Sequence, residues 1–124
     1  MQVGDVSVWE RTFTHEDVRQ FGQLSGDLGL HHVQPDAQGR LMVQGLLTAT
    51  LPTKFGGDLN FIASSLKFEF RRPVFTGDII RCENTITLLE SQEGRTLMEA
   101  TCVCSNQQGK DVLICYARGI IRNT

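Results

Sequence analysis

From Phe61 onward apolar and polar residues alternate, with Leu66, Phe68 and Phe70 interleaved with Lys67, Glu69 and Arg71. A period of two is that of a strand with one buried face. Pro73 and Gly77-Asp78 break the run, after which strand patterns follow over Ile79 to Leu89, Thr96 to Ser105 and Val112 to Ile121. Glu93-Gly94 and Gln108-Gly109-Lys110 supply the turns between them. The second half of the chain therefore predicts a series of long antiparallel strands.

The first half carries a different period. Val6, Val8 and Arg11 to Phe13 suggest a short opening strand, and Thr14-His15-Glu16-Asp17 offers a side-chain oxygen to the free amides of a helix start. Val18, Phe21 and Leu24, three residues apart, then predict an amphipathic helix to about Ser25. Gly26 to Arg40 is rich in turn formers without a sustained period and reads as a structured loop. Leu41 to Phe55 is the most apolar stretch, and a helix apolar on all sides belongs in the core. Pro52 lacks a backbone donor and crowds the carbonyl of Thr48, which predicts a kink or an end near Leu51, with Gly56-Gly57 closing the segment. One apolar helix followed by antiparallel strands makes an α+β protein whose sheet curls round the helix, the hot-dog layout.

Composition narrows the functional classes. A chain of 124 residues, 40% hydrophobic and 21% charged, fits a single domain over 1–124, one that buries roughly 60 to 70% of its unfolded surface. Its formal charge of -2 gives no general attraction to nucleic acid or anionic lipid. No stretch approaches the ~18 apolar residues of a membrane span, and the N-terminus lacks a basic region followed by an apolar run, so a cytoplasmic protein is expected. Cys82, Cys102, Cys104 and Cys115 fall in strand patterns and read as buried free thiols. Cys102-x-Cys104 lacks the two-residue spacer of a zinc knuckle and has no nearby His, so no metal site is expected.

Three blocks resemble the MaoC-like dehydratase family, which includes the R-specific enoyl-CoA hydratases. Phe13-Thr14, Asp17-Val18, Phe21 and Ser25-Gly26-Asp27 are similar to that family's first helix and the start of its Gly-Asp-x-Asn-Pro-x-His motif, which here reads Gly26-Asp27-Leu28-Gly29-Leu30-His31-His32. Met42-Val43-Gln44-Gly45-Leu46-Leu47 resembles the Val-His-Gly-Met-Leu that begins its central helix. Phe68 to Asp78, with Pro73-Val74 and Gly77-Asp78, resembles its Phe-x-x-Pro-Val-x-x-Gly-Asp strand and turn. The chain departs from the motifs in replacing Asn-Pro by Gly29-Leu30 and the helix-starting His by Gln44.

The resemblance implies reversible hydration of a 2-enoyl-CoA thioester, with coenzyme A as part of the substrate and no other cofactor. It places the catalytic pair on Asp27 and His32, with His31 exchanged for His32 if the loop shifts by one residue. The backbone N–H of Gly45 would face the thioester oxygen, where negative charge develops. Gln44 would donate its amide either to that oxygen or to local backbone, and Thr53 stands where the hydratases often carry a serine, touching substrate or packing within the helix. Arg72, with Arg71, Arg118 and Arg122, is a candidate for the phosphates of coenzyme A or a solvated strand face. A sheet edge and a helix face left uncovered imply a homodimer or a dimer of dimers. The absence of Asp and Glu from residues 41–57 counts against a thioesterase. That reading stays open beside a non-catalytic acyl-CoA-binding module and a purely structural subunit.

Overall fold

The computed structural model describes residues 1–123. In chain order the elements are β1 (Val6–Thr12), α1 (His15–Ser25), α2 (Leu30–Val33), α3 (Gly45–Thr48), α4 (Thr50–Asp58), β2 (Phe61–Phe70), β3 (Ile79–Gln92), β4 (Arg95–Ser105) and β5 (Asp111–Arg122). The five strands form one sheet in the order β1-β3-β4-β5-β2, with every neighbouring pair antiparallel. β2 and β3, consecutive in the chain, do not pair: β2 takes one edge beside β5, and β3 lies between β1 and β4. The connection that carries the chain across is fixed to the segment before α3. Val43 donates to the Val74 carbonyl at 2.8 Å and Thr76 to the Leu41 carbonyl at 2.9 Å.

Alternation along the strands builds a single apolar face. Ile80, Cys82, Asn84 and Ile86 of β3 are buried, as are Met98, Ala100, Cys102 and Cys104 of β4. Leu113 and Cys115 of β5 join them, and the face packs against Phe13, Val18, Leu47, Ala49 and Leu51. All four cysteines are therefore free and buried.

The helical half differs from the sequence pattern in three places. Leu41 to Gln44 is extended rather than helical, because its backbone bonds are made with the 74–76 connection. The helix breaks at Ala49, between α3 and α4, rather than near Leu51. Pro52 then sits in the first turn of α4, where no amide needs an intrahelical acceptor. Gly56 and Gly57 lie inside α4, which ends at Asp58, and the segment is buried on one side only: Leu47, Thr48, Ala49 and Leu51 are covered while Leu46 is exposed. The 26–40 loop also contains the single turn α2.

The start of α1 follows the sequence. The Asp17 amide donates to Thr14 Oγ1 at 3.1 Å and the Thr14 amide donates to Asp17 Oδ2 at 2.9 Å, a reciprocal cap. At the other end Gly26 adopts φ 79°, a left-handed conformation that glycine takes without steric cost, and turns the chain toward Asp27.

Replacing Thr14 by Ala should destabilise the protein by about 1 kcal/mol, read as a lower urea midpoint with unchanged slope. The Thr14 backbone amide is the main group holding the Asp17 carboxyl below its ordinary range. A depressed folded value means that this stabilisation is complete above the ordinary carboxylate range and is lost as pH falls through the folded value. The wild-type advantage over Asp17→Asn should therefore be present at neutral pH and vanish in acid.

Candidate functional site

The turn after α1 and the single turn α2 bring Asp27 and His32 together. Asp27 is fixed by its backbone: its amide donates to Ser25 Oγ at 3.0 Å, and that hydroxyl donates to the Phe21 carbonyl at 2.6 Å. Gly29 caps α2 in an extended conformation, and the His32 amide donates back to its carbonyl at 2.8 Å. Gly29-Leu30 thus makes this turn without a proline.

His32 is 6% exposed, and its ring is held from behind. Nδ1 lies 2.6 Å from the Met42 carbonyl oxygen, which can only accept, so Nδ1 carries a proton and Nε2 is the nitrogen turned to the site. Nε2 stands 3.5 Å from Asp27 Oδ2, and the carboxylate itself is half exposed. A neutral Nε2 and a carboxylate oxygen are both acceptors, and at that separation a water molecule can donate one hydrogen to each. The pair is therefore suited to gripping a water by both protons.

Two cavities lie along the inner face. The first, of about 300 Å³, is lined by His31, His32, Gly45, Thr48, Phe70 and Arg72 among others. Gly45 opens α3, so its N–H has no acceptor one turn back in the helix. A Cβ there would lie 2.9 Å from the Phe70 ring, and only glycine leaves the backbone this accessible with Phe70 in place. The second cavity, of about 260 Å³, lies between α4 and the sheet, and its lining includes Pro52, Phe61, Leu66, Met98 and Ala117. Thr48 and Pro52, one helical turn apart, line the first and second cavity respectively, as do Phe70 and Phe68 on β2.

The other candidate residues separate. His31 lines the first cavity with its ring centroid 3.9 Å from that of His32, so it neighbours the pair without replacing His32 beside Asp27. Gln44 is 1% exposed, lines neither cavity, and donates its amide to the carbonyls of Val18 (2.9 Å) and Asp27 (3.4 Å). Of its two expected uses, the structure shows the local one, tying α1 and the Asp27 turn to the start of α3. Thr53 lines the apolar cavity, away from His32, and donates to the Ala49 carbonyl at 3.1 Å. Arg72 and Arg71 line the first cavity, Arg72 donating to the Asp111 carbonyl at 2.7 Å and Arg71 pairing with Glu69 at 2.6 Å. Arg118 instead pairs with Glu99, and Arg122 stands opposite Arg95 in the β4–β5 register, so neither belongs to this cavity.

Sequence reasoning missed two participants. The Met42 carbonyl, which fixes the His32 tautomer, is a backbone group with no residue-type signal. Thr48 does carry one, a hydroxyl in an apolar segment: it is 3% exposed, lines the His32 cavity, and its Oγ1 has no hydrogen-bond partner.

No family model matches the chain, and no curated protein matches it. Solved structures do. An (R)-hydratase from A. caviae involved in PHA biosynthesis aligns with a TM-score of 0.85 at 25% identity, over 99% of this chain and 98% of that one. An R-hydratase from Pseudomonas aeruginosa aligns with a TM-score of 0.77 at 21% identity, over 98% and 82%. The 3R-hydroxyacyl-ACP dehydratase complex HadBC from Mycobacterium tuberculosis aligns with a TM-score of 0.65 at 17% identity, over 95% and 96%. The fold is the hot-dog fold of the MaoC-like dehydratases and R-hydratases, as the three sequence blocks imply. Among the described residues no helix is long and apolar enough to cross a membrane.

Thr48→Val should remove a buried hydroxyl that lacks a partner and raise stability by about 1 kcal/mol, measured as a higher urea midpoint. An unchanged or lower midpoint would mean that the hydroxyl is satisfied in solution.

Proposed function

From the fold it shares with the MaoC-like dehydratases and R-hydratases, we propose that this protein is a hydro-lyase that reversibly hydrates a 2-enoyl thioester, carried on coenzyme A, to the 3-hydroxyacyl thioester. One observation carries the reading: a buried imidazole, its Nδ1 proton committed to Met42, turns Nε2 toward the Asp27 carboxylate beside a cavity that also reaches the Gly45 backbone.

Hydration adds the water oxygen to C3 and a proton to C2. In the proposed site His32 and Asp27 accept the two hydrogens of the water. As the C3–O bond forms, one of them takes a proton and the electron pair of the double bond moves onto the thioester oxygen as an enolate. The N–H of Gly45 donates to that oxygen. The same acid then returns the proton to C2, which restores the thioester, and dehydration runs the sequence backward. The reaction is addition and proton transfer, with no redox or metal step.

The apolar cavity next to the site is the proposed place of the acyl chain. Its lining of Leu66, Phe68, Met98 and Ala117 offers nothing to a charged substrate and favours methylenes. Arg72 and Arg71, at the mouth of the other cavity, are the proposed contacts of the phosphate end of coenzyme A. The proposed assembly is a homodimer through β2, an edge strand with Ile62, Leu66 and Phe70 exposed.

Purified protein mixed with a series of trans-2-enoyl-CoA thioesters should remove the conjugated enoyl absorbance. Asp27→Asn and His32→Ala should each lower kcat by about 10²- to 10⁴-fold with the fold intact by circular dichroism, whereas His31→Ala should keep most of it. Release of free thiol without loss of the enoyl band would instead establish a thioesterase. Turnover only of acyl-carrier-protein thioesters would keep the chemistry and change the carrier.

Each methylene buried in the cavity should lower KM by about fourfold, the equivalent of about 0.8 kcal/mol, until the cavity is full. Ala117→Leu should shorten the preferred chain and leave the four-carbon substrate unaffected. Equal loss with all chain lengths would place the acyl group elsewhere.

A further inference from the structure

Three sulfur atoms meet on the inner face of the sheet, away from the Asp27–His32 pair. The β3–β4 register sets Cys82 opposite Cys104, and Cys102 shares a strand face with Cys104 two residues away. Cys82 Sγ lies 3.2 Å from Cys102 Sγ, and Cys102 Sγ lies 3.8 Å from Cys104 Sγ. All three sulfurs are within 4.8 Å of one another, and the residues are 0%, 3% and 0% exposed.

Core packing alone does not account for this arrangement. The nearest pair is closer than the optimal separation of about 3.5–4.0 Å between two carbon atoms, although sulfur is the larger atom. The contact is that of a thiol hydrogen bond in which either sulfur can be the donor. The Asn84 amide donates to the Cys82 sulfur at 3.5 Å, so that sulfur also accepts a hydrogen bond within the core.

Three sulfurs this close together can be bound by a single metal ion. Three sulfurs bound to one ion at about 2.3 Å in a trigonal plane would stand about 4.0 Å from one another; two of the present separations, 3.2 and 3.8 Å, are somewhat shorter, and all three sulfurs lie within 4.8 Å. No His, Asp or Glu joins the group among the described residues. Zinc characteristically completes four ligands, whereas an all-sulfur set short of four suits a softer ion. A monovalent ion displacing one proton leaves the buried cluster uncharged, which avoids the desolvation cost of a net charge in the core. Cys102 and Asn84 also line the apolar cavity, which gives a route from solvent, and Cys115, paired with Cys102 across β4 and β5, lies on the same route.

We propose that Cys82, Cys102 and Cys104 form a binding site for a single Cu(I) ion. Binding releases one thiol proton per copper and leaves the oxidation state of the copper unchanged. The site is independent of the hydro-lyase reading and departs from the expectation of no metal drawn from the cysteine spacing. That spacing showed Cys102-x-Cys104 alone, and only sheet pairing adds the third sulfur.

The test is an anaerobic titration of the reduced full chain against Cu(I) buffered by bicinchoninate, followed by X-ray absorption spectroscopy of the loaded protein. One copper per chain should be withdrawn from the chelator, with three sulfurs at about 2.3 Å and no nitrogen or oxygen neighbour. Cys102→Ser should weaken retention by at least about a hundredfold, equal to about 2.7 kcal/mol, and Cys115→Ser should leave it unchanged. No withdrawal of copper, a nitrogen or oxygen coordination sphere, or retention unaffected by Cys102→Ser would overturn the site. The spectrum of the wild-type protein decides the matter even if a variant fails to fold.

Discussion

The inner face of a curled five-stranded sheet must be kept from water, and one broken helical segment largely meets that demand. Leu47, Ala49 and Leu51 lie against strands whose inward residues are Ile80, Cys82, Cys102, Cys104, Leu113 and Cys115. Much of this lining is small, so the sheet and the helical segment do not close on each other completely. The remaining space is the apolar cavity between α4 and the sheet. The same burial that drives folding therefore leaves a volume suited to an apolar chain.

The site depends on how the helical segment begins. Leu41 to Gln44 runs extended because its amides and carbonyls bond the 74–76 connection and α2, and this aims the Met42 carbonyl at His32 Nδ1. Gln44 closes the arrangement from the other side by donating to Val18 and Asp27. A buried amide that ties three segments together restrains them more tightly than apolar contact does, since its donors lose their partners if any segment moves. Its own Oε1 is left without a partner. Positioning Asp27 against His32 is thus coupled to an unfavourable buried atom, a pattern found where local geometry is held for something other than stability.

Periodicity made the sheet legible. The strand over Leu66 to Phe70, the turns at Glu93-Gly94 and Gln108-Gly109 and the cap at Thr14 and Asp17 all act within a few residues and are found where the sequence places them, although Leu66 and Phe70 stay exposed on the edge strand instead of forming a buried face. The order β1-β3-β4-β5-β2 was not legible, because every strand has the same alternation and pairing is chosen between segments far apart in the chain. The helix limits shifted for a related reason. Apolar content over Leu41 to Phe55 suits a buried helix, but backbone bonds to a distant loop hold its first four residues extended.

By itself, then, the sequence determined the α+β class, the capped first helix, the strand half and the presence of an Asp and a His five residues apart on one loop, since these rest on local conformational preference and on the period of burial. Only the tertiary structure decided that His32 rather than His31 stands beside Asp27, that Gln44 serves the backbone, that Thr53 lines a different cavity from His32, and that a third cysteine joins Cys102 and Cys104. Each of these depends on which groups meet across long stretches of chain, where distance and the direction of a hydrogen bond are set by packing rather than by neighbours in the sequence.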